Sequence, residues 1–227
     1  MPCSSKVRDT IQRKKENEKM EKKTMEKQKV SVKKQQWKLG NMLYPLPVVL
    51  VSLGREGEKP NMITVAWTGT VCTNPPMVYI SVRPERYSHA ILKETKTFVI
   101  NLTTEKLLKA TDYCGVRSGR DVDKFKETGL TAVPGPVTGC PMVEESPVNL
   151  ECRVKEIKAL GSHDLFLAEV VAVHVSEDYM EGNGRFRLNR TGLVAYSHGE
   201  YFSLGKSLGT FGYSVRKPAK KKAKRRR

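Results

Sequence analysis

The chain has 227 residues and a formal net charge of +17. Its 38% hydrophobic content suffices for the core of one domain, while the 29% charged fraction indicates that part of the chain stays outside that core. No run approaches the 18 or so consecutive apolar residues of a membrane-spanning helix, and no apolar secretory signal opens the chain, so a cytoplasmic location without a membrane partner is expected.

The charge is unevenly placed. Residues 1–38 hold 13 Lys or Arg against 5 acids, and residues 216–227 hold 9 basic residues and no acid, so residues 39–215 carry 19 of each and are neutral. The division that follows is a basic, disordered N-terminal extension (1–36), a folded domain (37–215) and a polybasic tail (216–227). The tails have the composition for weak, salt-sensitive polyanion binding. A polyanion-binding protein built on a non-catalytic barrel is therefore the alternative reading. Cys3, Cys72, Cys114, Cys140 and Cys152 are odd in number and widely spaced, without a metal-ligand pair, so free thiols and no metal site are expected.

In chain order, short segments rich in Val, Ile, Thr and aromatics alternate with Gly, Pro and Asn. They predict strands over 48–53, 62–68, 77–82, 97–102, 148–159 and 165–175. The last two bracket Gly161-Ser-His-Asp164 and read as a hairpin. Ser88 caps a predicted helix running to Lys93, Thr103 or Thr104 caps another running to about Ala110, and a third covers 122–127. Strands outnumber crossover helices, which argues against a doubly wound sheet and favours a small antiparallel barrel. Gly182-Asn-Gly184 lacks the third glycine of a dinucleotide fingerprint and reads as a turn.

One stretch has the makings of an anion site. Arg83 and Arg86 stand just before the predicted helix start, with the hydroxyls of Ser81 and Ser88 beside them. Unsatisfied amides and the macrodipole at a helix N-terminus favour negative charge, and guanidiniums add bidentate contacts to phosphate. His163, His174 and His198 show no ligand spacing and are expected to be non-functional. Cys72 and Cys114 read as inert rather than reactive thiols.

The run Lys38-Leu-Gly-Asn-Met-Leu-Tyr-Pro-Leu-Pro-Val-Val-Leu-Val-Ser52, then Asn61-Met-Ile-Thr-Val-Ala-Trp67, Asn74-Pro-Pro76, Ile80-Ser-Val-Arg83, Tyr87-Ser-His89 and Phe98-Val-Ile-Asn101, resembles the flavin reductase-like family, in particular its flavoredoxin branch, over roughly residues 37–205. The resemblance implies an FMN-binding split barrel, mainly β and Greek-key, with a few short helices, and a homodimer holding FMN non-covalently. It places Asn61, Met62, Ile63, Thr64, Val65, Ala66 and Trp67 along the flavin ring. Ser81, Val82, Arg83, Tyr87, Ser88 and His89 would lie at the ribityl chain and phosphate. Lys124, in the stretch Cys114 to Phe125 that resembles the family's glycine-containing loop ending in Asp-Lys-Phe, would place positive charge nearby. The activity implied is that of an NAD(P)H-dependent flavin reductase-like oxidoreductase that passes electrons through FMN to a flavin or a redox protein. A flavoredoxin-like carrier without direct NAD(P)H activity is the second reading within the class. In both the flavin carries the chemistry, so no catalytic side chain is expected.

Overall fold

The computed structural model describes residues 32–55 and 57–216; the expected disorder of the N-terminal extension lies mainly, and most of the polybasic tail also, outside them. Chain contacts divide the molecule into two units, 1–42 and 43–227, and the described part of the first is exposed throughout. Among the described residues of the second unit twelve strands occur, β1 (Leu46–Pro47), β2 (Val49–Leu53), β3 (Asn61–Val65), β4 (Thr68–Cys72), β5 (Met77–Val82), β6 (Thr97–Leu102), β7 (Ala132–Pro134), β8 (Pro141–Val143), β9 (Val148–Ala159), β10 (Asp164–Val175), β11 (Val194–Ser197) and β12 (Glu200–Ser203). Three α-helices accompany them: α1 (Tyr87–Thr95), α2 (Leu108–Val116) and α3 (Lys124–Thr128). None of the described helices is long and apolar enough to cross a membrane.

Seven strands form one antiparallel sheet in the order β3-β2-β6-β9-β10-β5-β4. Its two edge strands are consecutive in sequence. The predicted strand 62–68 is therefore two strands: the chain leaves β3 at Val65, passes Ala66 and Trp67, and enters β4 on the opposite edge of the sheet. The Ser81 amide donates to the Trp67 carbonyl at 2.9 Å, so the connecting residues are tied to β5. Sequential strands at opposite edges curl the sheet into the expected mainly β split barrel. Register shifts between β9 and β10, at Leu167/Ala168 and Val170/Ala172, supply curvature to the two longest strands.

Strand alternation decides which face each residue fills. On β2, Val49, Val51 and Leu53 enter the barrel core with Phe98, Ile80 and Phe166, while Leu50 points the other way, to a smaller cluster with Met62, Cys114, Phe125 and Val143. α2 and α3 cover that second face, which is why β2 is buried along its whole length. Phe98 and Phe166 are fully buried, each stabilising the fold by about 1.5–3 kcal/mol.

The predicted hairpin is present: the Leu160 amide donates to the His163 carbonyl at 2.9 Å. Glu181–Gly184 forms the expected turn, closed by a 2.8 Å bond from the Gly184 amide to the Glu181 carbonyl. Ser88 does not cap α1. The helix begins two residues earlier, at Tyr87, with Arg86 as a cap that makes no side-chain bond. The Ser88 hydroxyl is engaged instead by the Asn61 amide. The predicted third helix begins later than expected, because the Asp123 carboxylate caps α3 by accepting from the Lys126 amide.

Candidate functional site

Two adjoining cavities lie where β3, the end of β5, the start of α1 and α2 converge. The first is a cleft of about 350 Å³, floored by Ile63, Thr64, Val65, Ala66 and Trp67 and bordered by Ser81, Val82, Arg83 and Arg86. The second, of about 290 Å³, is lined by Arg86, Tyr87, Ser88, Arg117, Ser118, Gly119, Arg120 and Lys124. Ile63 and Arg86 border both, so the cavities meet at those residues.

The cleft floor is an edge strand, and an edge strand offers backbone groups. The Lys124 Nζ donates to the Met62 carbonyl at 2.8 Å, so Met62 turns its peptide groups outward. In an antiparallel strand the N–H and C=O of one residue point the same way, and residues two apart share that direction. Thr64 therefore also presents its amide and carbonyl outward, as a donor and acceptor pair in the cleft wall. Its hydroxyl is committed elsewhere, donating to the Thr111 carbonyl on α2.

Aromatic side chains flank this floor on two sides. Trp67 packs against His163 with ring centroids 4.3 Å apart. The β10–β5 register sets Asp164 opposite Val82, which carries the hairpin turn and His163 up beside Arg83. Burial and the neighbouring Arg83 hold the His163 imidazolium below its ordinary pKa, favouring the neutral ring. Tyr196 and Tyr201, from the separate β1-β11-β12 sheet, line the same cleft. The Tyr201 hydroxyl donates to Asp112 on α2 at 3.0 Å, and burial together with that carboxylate pushes its pKa up to about 12.

The second cavity is cationic. Arg86, Arg117, Arg120 and Lys124 line it against Glu85 and Asp121. The first amides of α1 open nearby, without a side-chain cap. The Asn61 Nδ2 donates to Ser88 Oγ at 2.9 Å, while Asn61 Oδ1 is a buried polar atom without a hydrogen-bond partner. Rotating that amide exchanges its ends: the Ser88 hydroxyl then donates to Oδ1, and the NH2 group becomes a spare donor at the cavity wall. Close approach there depends on Gly119, where an added Cβ would fall 2.1 Å from Asn61 Oδ1. An orphaned amide, an uncapped helix start and three guanidiniums fit a phosphate ester, and the adjoining aromatic-walled cleft fits a flat ring attached to it. The donor set thus suits a flavin that carries a phosphate ester.

Of the residues expected at the site, Ile63 to Trp67 and Ser81 to Arg83 border the cleft, and Tyr87, Ser88 and Lys124 border the cationic cavity. Asn61 reaches that cavity only through its contacts with Ser88 and Gly119. Met62 is fully buried in the second cluster, offering its backbone alone. His89 has a different task from the one expected. It is 6% exposed, its Nε2 lies 2.8 Å from Asp164 Oδ2, and its ring meets Phe166 edge-on, so it clips α1 to β10. Cys72 lies outside both cavities. Burial raises the Cys114 thiol to about 11, leaving it inert.

Sequence reasoning passed over His163, Asp112, Tyr196, Tyr201, Arg117 and Arg120. The two arginines lie in the quoted glycine-containing stretch and could have been found there. The tyrosines had no local signal, since β11 and β12 are four-residue strands that composition did not reveal. Among the described residues, no cluster of three or more His, Cys, Asp or Glu is placed to hold a metal ion.

The family model described as the flavin reductase like domain matches residues 41–205. A protein of Archaeoglobus fulgidus is 32% identical over 165 residues, 73% of this chain and 91% of that protein. The NADH-dependent FAD reductase of Streptomyces globisporus is 28% identical over 148 residues, 63% of this chain and 79% of the relative. Among solved structures, flavoredoxin of Desulfovibrio vulgaris (Miyazaki F) superposes with a TM-score of 0.75 at 28% identity, covering 81% of this chain and all of that one.

Proposed function

From the premise that this chain belongs to the flavin reductase-like family, we propose that it is an oxidoreductase that binds FMN non-covalently and takes electrons from NADH or NADPH. The observation that carries the reading is the junction of the two cavities at Ile63 and Arg86, which joins a cleft bordered by Trp67, Tyr196 and Tyr201 to a smaller cationic pocket. A single phosphate ester on a flat ring matches that arrangement.

In this reading Arg86, Ser88 and the first amides of α1 hold the phosphate, with Lys124 behind them. The outward amide and carbonyl of Thr64 would face the polar edge of the ring, and Trp67 would offer an apolar surface to its face. When bound, the flavin supplies the capacity to accept two electrons and release them to an acceptor, a second flavin or a redox protein. The side chains contribute position and field: Trp67 with His163 and Tyr196 with Tyr201 bound the cleft so that a planar nicotinamide is held in register. The neutral His163 adds no positive charge beside Arg83. The homodimer expected for the family would cover Leu204, Leu208 and Phe211, apolar side chains exposed after β12.

The likeness to a flavoredoxin favours a second reading, an electron carrier reduced by another protein. Titration of purified protein with FMN and FAD, followed by anaerobic mixing with NADH and NADPH, decides among them. Uptake of FMN and bleaching by a reduced nicotinamide are expected. Bleaching by neither supports the carrier, and failure to take up either flavin refutes both readings.

A further inference from the structure

Lys124 opens α3, yet its side chain does not reach solvent. It is 3% exposed, and its Nζ donates to the Met62 and Cys114 carbonyls, each at 2.8 Å. The first is an outward-facing group of the edge strand and the second belongs to the last turn of α2, so both would otherwise lack partners. Both are neutral dipoles, and an ammonium has three N–H groups, so one remains for the cationic cavity that Lys124 lines. The charged or titratable groups around it come from every neighbouring element. Glu85 and Arg86 precede α1 and Tyr87 opens it, Cys114 and Arg117 belong to α2 and its end, Arg120, Asp121 and Asp123 to the loop, and Lys126 and Glu127 to α3 itself. Among the described residues Nζ forms no ion pair.

A buried cation without a counter-charge holds its proton weakly. Burial lowers the Lys124 pKa to about 8; Cys114 pulls the other way, and repulsion from Arg86 adds a smaller fall. An anion entering the cavity would supply the missing charge.

We propose that Lys124 makes this a proton-linked site for phosphate monoester dianions: the ester and a proton taken up by Lys124 are bound together, which favours a phosphorylated flavin over its phosphate-free ring system. The inference rests on the flavin reading and adds the coupling to it. The second ionisation of a phosphate ester lies near 6, so at pH 8 and above the ligand is already a dianion and contributes no proton change. The Cys114 thiol, at about 11, stays protonated over the same range. The proton balance between pH 8 and 9 therefore reports Lys124. Half-deprotonated at pH 8 when the cavity is empty, it takes up about 0.5 proton there and about 0.9 at pH 9, and affinity falls by up to tenfold per pH unit above 8.

Calorimetry of the full chain with FMN, at pH 8 and 9 in two buffers of different ionisation enthalpy, measures this uptake, with riboflavin as the phosphate-free control. The expected result is an uptake with FMN that grows from pH 8 to 9 and exceeds that with riboflavin. Lys124→Arg should bind FMN without the uptake, because guanidinium does not titrate. Lys124→Met should bind more weakly at pH 7 and lose the steep pH dependence. FMN binding to the wild-type chain at both pH values with no uptake beyond that of riboflavin overturns the inference while leaving the flavin reading intact. No FMN binding at any pH refutes the flavin reading and this one with it. Should either variant fail to fold, the wild-type comparison still decides.

Discussion

Gly119→Ala tests the site through a single methyl group. The backbone at Gly119 lies outside the left-handed region, so alanine is conformationally acceptable there, and the substitution alone would stabilise the fold by about 0.4–1 kcal/mol through the unfolded chain. Sterics oppose this. The new Cβ would fall 2.1 Å from Asn61 Oδ1, 2.7 Å from Asn61 Cγ and 3.0 Å from Tyr87 Cδ1. Asn61 is 4% exposed and bonded to Ser88, so it cannot swing into solvent. Overpacking costs about 1–3 kcal/mol, and losing the buried hydrogen bond adds about 0.5–1.5 kcal/mol. The net expectation is a loss of about 1–3 kcal/mol in urea unfolding with an unchanged m-value, together with weakened FMN binding. Combining it with Asn61→Ala should recover part of the stability, since the clash has lost its partner. Unchanged or increased stability of the single variant would refute the argument that the loop must approach Asn61 so closely.

Arg86→Ala should weaken FMN binding by about 1.5–3 kcal/mol in a fluorescence titration, the loss of one charge-assisted contact, whereas Arg83→Ala, which borders the ring cleft and pairs with Glu85, should cost less. The Lys124 pKa of about 8 in the folded chain against 10.5 unfolded means that the unfolded state binds more protons between those values, so ligand-free stability should rise with pH across that window. Relative to Lys124→Met the rise should reach about 3 kcal/mol, and a flat difference in chemical denaturation would show that the lysine is not buried as a lone cation. Phe166→Ala should cost about 3–5 kcal/mol and release His89 from its edge contact; a loss below 1 kcal/mol in the same assay would contradict the core assignment.

Local pattern was enough for much of the barrel. The strands β5, β6 and β9 fall where Val, Ile and Thr cluster between turn residues, and the Gly161 hairpin follows from the turn composition between its strands, because these signals act over a few residues. The anion site was also legible in outline, since Arg86, Ser88 and a helix start lie within three residues of one another. What composition missed was set by contacts distant in sequence. The break at Ala66 and Trp67 exists because β3 and β4 pair at opposite edges of the sheet, with β2 and β5 respectively, which no local propensity specifies. Ser88 is taken from its capping role by Asn61, 27 residues away, and His89 is drawn from the expected phosphate site by Asp164, 75 residues away. Tyr196 and Tyr201 reach the cleft only because a small separate sheet folds over it. The sequence by itself thus determined the family, the mainly β class and the place of the cationic segment, all carried by short-range residue types. Only the tertiary structure decided which of those side chains face the cavity, because each one's hydrogen-bonding capacity is limited and long-range partners claim it first.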